Sequence, residues 1–268
     1  MTGTVFCPPS PSQPQANDAI PLIDLRSAAH SGSLAHSLVR SSPLIWLKLK
    51  QDLWKRALEA TRTAGDSTGI EIRINRLIAS EQRGRRSGKD SVMLGTVFGQ
   101  IYTVVNPLEP RRLRIMGGEG RTWKANFIGE GSIDAGGPFR ESLSDATADI
   151  HSAHLGLFLP CANQKSGLSG DVDGMAGIHN MDKFVPNPGR CSKPLHVSML
   201  VFVGKMIGIA MRTNAALPFH FPPMVYKRLL GHPVGRTDLK AIDKFLVDKL
   251  GEGGRSGGGG VSGEVSSL

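Results

Sequence analysis

Three carboxylates near the middle of the chain, Glu130, Asp134 and Glu141, are the residues whose type and spacing best suit acid–base chemistry. They lie in the run Phe127-Ile128-Gly129-Glu130-Gly131-Ser132-Ile133-Asp134-Ala135-Gly136-Gly137-Pro138-Phe139-Arg140-Glu141-Ser142-Leu143. A carboxylate pair works as general acid and base when its surroundings push the two pKa values apart. Asp134 and Glu141 have a simpler use, because both stand where a helix would begin. An acidic side chain there meets unbonded N–H groups and the positive end of the helix dipole. We read these carboxylates as turn and cap groups, and expect no catalytic residue among them.

Other constellations are weaker. His151-x-x-His154 with Cys161 offers three metal-ligand types, but no fourth ligand stands at suitable spacing. Gly117-Gly118-Glu119-Gly120 and Gly129-Glu130-Gly131 are glycine-rich without completing Gly-x-Gly-x-x-Gly between a strand and a helix. There is also no Gly-Lys-Ser/Thr phosphate loop, so both read as turns. No cofactor and no metal are expected. Cys7, Cys161 and Cys191 form an odd set without a Cys-x-x-Cys pair, and no apolar signal region opens the chain. A reducing intracellular compartment, cytoplasmic or nuclear, is the expectation.

Charge is unevenly placed. Of the net +9, residues 43–122 supply +7, from 15 basic against 8 acidic residues. Arg83, Arg85, Arg86, Lys89 and Arg111, Arg112, Arg114 carry most of it. Such runs attract phosphate backbones or acidic partners. No aromatic residue is interleaved in either run for base stacking, so nucleic acid is not the expected partner. The longest apolar run, Val197 to Met211, is 15 residues and contains Lys205, too short to span a bilayer.

Four segments are expected. Residues 1–42, with five prolines and eight serines, read as a disordered leader. Residues 43–122 form a basic N-terminal extension, 123–250 the main body, and 251–268, with 12 of 18 residues Gly or Ser, a disordered tail. Ser42-Pro43 opens a helix to about Thr61, and Ile70, Ile72 and Ile74 alternate as in a half-buried strand. Gly84 to Lys89 is a basic loop, and Val92 to Val105 is apolar and fits strand or helix equally. Leu113 to Met116 and Trp123 to Ile128 read as strands. Phe139 to Ala153 is an amphipathic helix, with Phe139, Leu143, Ala146, Ile150 and Ala153 inward. Residues 160–195 are loop with a short strand near Met181 to Val185. His196 to Arg212 is a helix apolar on nearly every side and therefore central. Pro222-Pro223 opens a short helix ended by Gly231. Thr237-Asp238 caps a last helix whose inner face is Leu239, Ile242, Leu246 and Leu250.

The Phe127–Leu143 run closely resembles the opening of the large lobe of HECT-type ubiquitin-protein ligases, whose hallmark reads Phe-x-Gly-Glu-x-x-x-Asp-x-Gly-Gly-x-x-Arg-Glu. Three further segments resemble the same family in the same order. They are Phe202-Val203-Gly204-Lys205-Met206-Ile207-Gly208-Ile209-Ala210, then Leu217-Pro218-Phe219-His220-Phe221 with Val225-Tyr226-Lys227-Arg228-Leu229-Leu230-Gly231, and finally Asp238-Leu239-Lys240-Ala241-Ile242-Asp243. The resemblance covers 123–250, 128 of 268 residues.

The resemblance implies a mainly helical α+β fold, a partial HECT large lobe with short strands and disordered ends. It implies structural roles for Gly129, Glu130, Asp134, Gly136, Gly137, Arg140, Glu141, Gly204, Gly208 and Asp238. Gly204 and Gly208, four apart, are expected to let another helix approach the central one. In the family, ubiquitin passes through a cysteine thioester to a substrate protein, with a conjugating enzyme docking on a small subdomain. The family's cysteine sits in a Thr-Cys context on a second lobe. Cys7, Cys161 and Cys191 follow Phe6, Pro160 and Arg190 instead. The expectation is a truncated ligase, inactive alone, whose relatives bind ubiquitin and a conjugating enzyme and act away from membranes. The alternative is a non-catalytic protein that binds nucleic acid or an acidic partner through the basic 83–114 segment.

Overall fold

The computed structural model describes residues 25–45, 47–63, 70–83, 89–114, 120–131, 136–164 and 179–253. Most of the Pro/Ser-rich leader, all but the start of the Gly/Ser-rich tail, the basic loop at 84–88, and also Met116 and Asp134, lie outside them. The chain divides into two compact units, Met1–Gly65 and Asp66–Leu268.

In the first unit, part of the segment expected to be a disordered leader is helical. A 3-10 turn at Leu25–Ala29 precedes α1, Leu34–Arg40. Ser33 starts α1: its side chain accepts the His36 N–H at 3.0 Å, meeting a donor that the first helical turn leaves unbonded. The helix expected from Ser42 begins later. Ser42–Leu44 is a separate 3-10 turn holding Pro43, and α2 runs Leu47–Ala60.

The second unit is built on a parallel strand pair. β1, Glu71–Ile74, lies beside β2, Lys124–Phe127, in the register Glu71↔Lys124 to Ile74↔Phe127. Both strands alternate as their sequences foretell. Ile72, Ile74, Ala125 and Phe127 are buried, while Glu71, Arg73 and Lys124 face out. Parallel pairing requires a crossover, supplied by α3 (Arg76–Arg83), α4 (Asp90–Gly95) and α5 (Val97–Val105).

The stretch that fitted strand or helix is thus two helices. The break is at Thr96, whose hydroxyl accepts the Gly99 N–H at 3.0 Å and opens α5. Gly99 is required there, because a Cβ would run into the backbone of Met93 and Leu94. The Leu113 strand is not formed: Arg112–Arg114 is a 3-10 turn with Leu113 turned inward.

After β2, α6 (Gly137–Ile150) buries Phe139, Leu143, Ala146 and Ile150 as expected, but it ends at Ile150 and leaves Ala153 exposed. An antiparallel pair follows, β3 (Phe158–Pro160) with β4 (Phe184–Pro186). The longest described helix, α7 (Pro194–Thr213), has the length and apolarity of a membrane span, yet Met199, Phe202, Val203, Met206 and Ile209 are buried in the core. Phe202 packs against Phe98 of α5 at a centroid distance of 5.5 Å, and Trp123 meets Phe139 edge-on at 4.8 Å. The core therefore draws on β1, β2, α5, α6 and α7 together.

The C-terminal helices depart from expectation. α8 is Pro223–Leu229, but the single helix expected from Thr237 is two, α9 (Arg236–Lys240) and α10 (Lys244–Gly253). The face read as core is not buried: Leu239, Leu246 and Leu250 are 46%, 51% and 69% exposed, and Val247 is the buried residue of α10.

Candidate functional site

The motif turn is positioned by β2 on one side and α6 on the other. Gly129, Gly131 and Gly136 have φ of +87°, +60° and +99°. The left-handed backbone at Gly136 lets the chain reverse directly into α6, which a side chain would strain. Glu130 leaves this turn toward Arg76, the first residue of α3, with Arg76 Nη1 3.0 Å from Glu130 Oε2. Glu141 and Asp145 of α6 converge on the same guanidinium. Glu141 contacts Nη2, and Asp145 Oδ2 lies 2.9 Å from Nη2 and 3.0 Å from Nε. The guanidinium carbon is 3.7 Å from the centre of the Phe127 ring, a cation–π contact.

Chemically, this is a tie rather than an acid–base pair. One cation is shared by three carboxylates and one ring, and these side chains join β1–α3 to β2 and α6. Burial alone would lower the Arg76 pKa, but its hydrogen bonds and attraction to Glu141 and Asp145 raise it. Sequence reading placed Glu130 and Glu141 but missed Arg76 and Asp145. Nothing in an isolated Arg or Asp signals a partner about 70 residues away in sequence.

A second tie joins two other motif segments. Asp238 of α9 accepts two bonds from the Lys227 ammonium of α8, at 2.7 and 2.9 Å, and one from the Gly235 N–H at 3.0 Å. The Lys227 ammonium holds the Asp238 carboxyl below the usual carboxylate range, with the Gly235 N–H assisting. Asp238 thus serves the start of α9, as its sequence position suggested, with Gly235 rather than Thr237 preceding the helix.

Asn163, also missed by sequence reading, is buried and splices the loop to the α9–α10 junction. Its side chain donates to the carbonyls of His179 and Ala241 at 3.0 Å and accepts the Lys244 N–H at 2.7 Å. The break between α9 and α10 is fixed there.

The remaining motif residues are placed plainly. Gly137 begins α6 and Arg140 is exposed on its first turn. Gly204 and Gly208 are exposed on α7, and a Cβ at either would meet nothing within 4 Å among the described residues. The close helix approach expected there is therefore not found.

The imagined metal ligands have other occupations. His151 packs among Phe184, Phe219 and Phe221, and its Nε2 accepts the His220 N–H at 3.1 Å. Burial, then the charge of His220, lowers its pKa to about 4, so it is neutral at physiological pH. The Cys161 thiol is buried and donates to the Asn180 carbonyl at 2.8 Å. Among the described residues, no three His, Cys, Asp or Glu are arranged to hold a metal ion.

The HECT-domain (ubiquitin-transferase) family matches residues 144–252. The E3 ubiquitin-protein ligase HERC2 of Mus musculus is 26% identical over 250 residues, covering 92% of this chain and 5% of that protein. The probable E3 ubiquitin-protein ligase HECTD4 of Homo sapiens is 27% identical over 232 residues, 84% of this chain and 5% of the relative. The E3 ubiquitin-protein ligase TOM1 of Saccharomyces cerevisiae is 32% identical over 124 residues, 46% of this chain and 3% of the relative. The chain thus spans about one twentieth or less of the length of these relatives. Residues 144–252 are thus similar to the HECT domain of ubiquitin-protein ligases.

Proposed function

We propose that this chain is the opening part of the large lobe of a HECT-type ubiquitin-protein transferase, and that its role in transfer is architectural. The observation that carries this is the HECT-domain match at 144–252. The chemistry is thioester exchange: a cysteine thiolate takes ubiquitin from a conjugating enzyme, then a substrate lysine amine attacks the thioester and releases the thiolate. None of the three cysteines here suits that step. Cys161 is buried with its thiol hydrogen-bonded, and Cys191, though exposed, follows Arg190 rather than threonine. Cys7 follows Phe6. The ubiquitin-accepting cysteine therefore belongs to sequence outside this segment. Ubiquitin and a conjugating enzyme are the partners, a protein is the substrate, and the setting is intracellular, cytoplasmic or nuclear.

The test compares the purified chain with the native protein recovered from cells by an antibody to residues 123–250. Each is incubated with activating enzyme, conjugating enzymes and ubiquitin, then run with and without reducing agent. The expected result is a thiol-sensitive ubiquitin adduct on the native protein and none on the 268-residue chain. Absence of the adduct on the native protein overturns the proposal.

A further inference from the structure

Residues 217–221 connect α7 to α8 as a strap that is neither helix nor strand. The peptide of His220, in this strap, is held from both sides. Its carbonyl accepts the Phe184 N–H of β4 at 2.7 Å. Its N–H donates to Nε2 of His151, the residue that closes α6, at 3.1 Å. The neighbours of His220 on the strap, Phe219 and Phe221, set their rings against the same imidazole, with centroids 6.2 and 5.6 Å away. Phe221 also stacks on Phe158 of β3 at 4.7 Å. One imidazole thus seats two aromatic rings and pins the backbone between them.

An imidazole nitrogen accepts a hydrogen bond only while it carries no proton, so a ring accepting through Nε2 is neutral and holds its single proton on Nδ1. A second proton has to enter at Nε2, where it meets the His220 N–H, donor against donor. The surroundings keep that proton off. Burial disfavours the charged ring most, the charge of His220 on the strap comes next, and Lys183, just before β4, adds to it. The Thr147 carbonyl, one turn back on α6, pulls the other way. The Asp182 carboxylate bonds Lys183 at 2.8 Å and lies 3.4 Å from Nδ1 of His220.

We propose that the 217–221 strap is a latched element: neutral His151 holds it, and a proton on Nε2 of His151 releases it, freeing Phe219 and Phe221 and loosening the lead into α8 while the core around α7 stays folded. In the released form the ring is hydrated and keeps its proton, so acid favours release. Release also uncovers Phe221, which is buried while the strap is latched. This device is separate from ubiquitin transfer and does not depend on it.

Hydrogen exchange of the full chain, read at the residue-220 amide and corrected for the intrinsic rate at each pH, tests the latch. Protection there is expected to fall about twentyfold from pH 7 to pH 5, the factor for a ring whose pKa is 6.5 when released and about 4 when latched. The opening should be local. Exchange at residue 220 should be indifferent to low urea, whereas Phe202 and Met206 of α7, which wait for global unfolding, should quicken with it. His151→Gln, whose amide oxygen accepts at any pH, should make protection at residue 220 independent of pH. His220→Ala keeps the backbone N–H but removes a charge that holds the proton off, so release should begin at higher pH. Thermal unfolding establishes that each variant is folded, and if His151→Gln is not, His220→Ala decides the matter alone. Constant protection in the unaltered chain, a fall that survives His151→Gln, an unmoved midpoint in His220→Ala, or a urea dependence equal to that of Phe202 and Met206 would overturn the proposal.

Discussion

Arg76 Nη1 stands 3.0 Å from Glu130 Oε2, so the residue that begins the first helix after β1 holds a residue of the glycine turn 54 positions later. Glu141 and Asp145 grip the same guanidinium from α6. Replacing Arg76 with Met should leave three carboxylates facing one another around Phe127. We expect a loss of about 1–2 kcal/mol in urea unfolding, held down because all four side chains are partly exposed to solvent. The loss should shrink in high salt, and Arg76→Lys should restore only part of it, since an ammonium lacks the planar fork. A salt-independent loss would mean that packing on Phe127, not charge, dominates.

Asn163→Ala removes a buried side chain that satisfies two carbonyls and one N–H. The expected cost is about 1–3 kcal/mol, from the lost hydrogen bonds of a buried amide whose partners are themselves exposed or half-buried, Ala241 keeping its bond from Asn180. Hydrogen exchange should quicken first at Lys244, whose N–H the side chain accepts.

The two motif glycines of α7 should behave oppositely to Gly99 of α5. Gly204→Ala and Gly208→Ala each place a methyl in open space within α7. Each should raise stability by about 0.5–1 kcal/mol. Gly99→Ala meets the Met93 backbone and should cost roughly 1–3 kcal/mol. Thermal unfolding of the three variants side by side orders them.

His151 gives stability a pH dependence with a definite sign. Its pKa is lowered from 6.5 to about 4 by burial and by the charge of His220, so between those values the unfolded chain holds a proton that the folded chain does not. Folding is therefore favoured above pH 6.5 and weakens as pH falls toward 4. His151→Phe should remove this component from the plot of urea midpoint against pH. An unchanged slope would show that His151 already carries a proton in the fold.

The sequence made local periodicity legible and left long-range partnership hidden. Ile70, Ile72 and Ile74 announced β1, and Phe139, Leu143, Ala146 and Ile150 announced the inner face of α6. Val92 to Val105 stayed ambiguous because apolar composition is the same for a strand and for two helices, and one hydroxyl, Thr96, settles the difference. Leu239, Leu246 and Leu250 showed how period and burial separate: the helical spacing is present, but the described residues put nothing over that face. Glu130, Glu141 and Asp238 were found by motif, while their cations, Arg76 and Lys227, acquire meaning only once β1 meets β2 and α8 meets α9.

The two strands of the parallel pair lie on one side of the boundary at residue 144, and half of what they pack against lies on the other. Ile72, Phe98, Trp123 and Phe127 share one core with Ile150, Phe202 and Met206, whereas the HECT-domain match begins at residue 144, inside α6. The segment matched by the HECT domain is therefore not the whole of the segment that holds the core. A polypeptide begun at 144 would carry α7 without Phe98, Trp123 and Phe127, core residues that precede it.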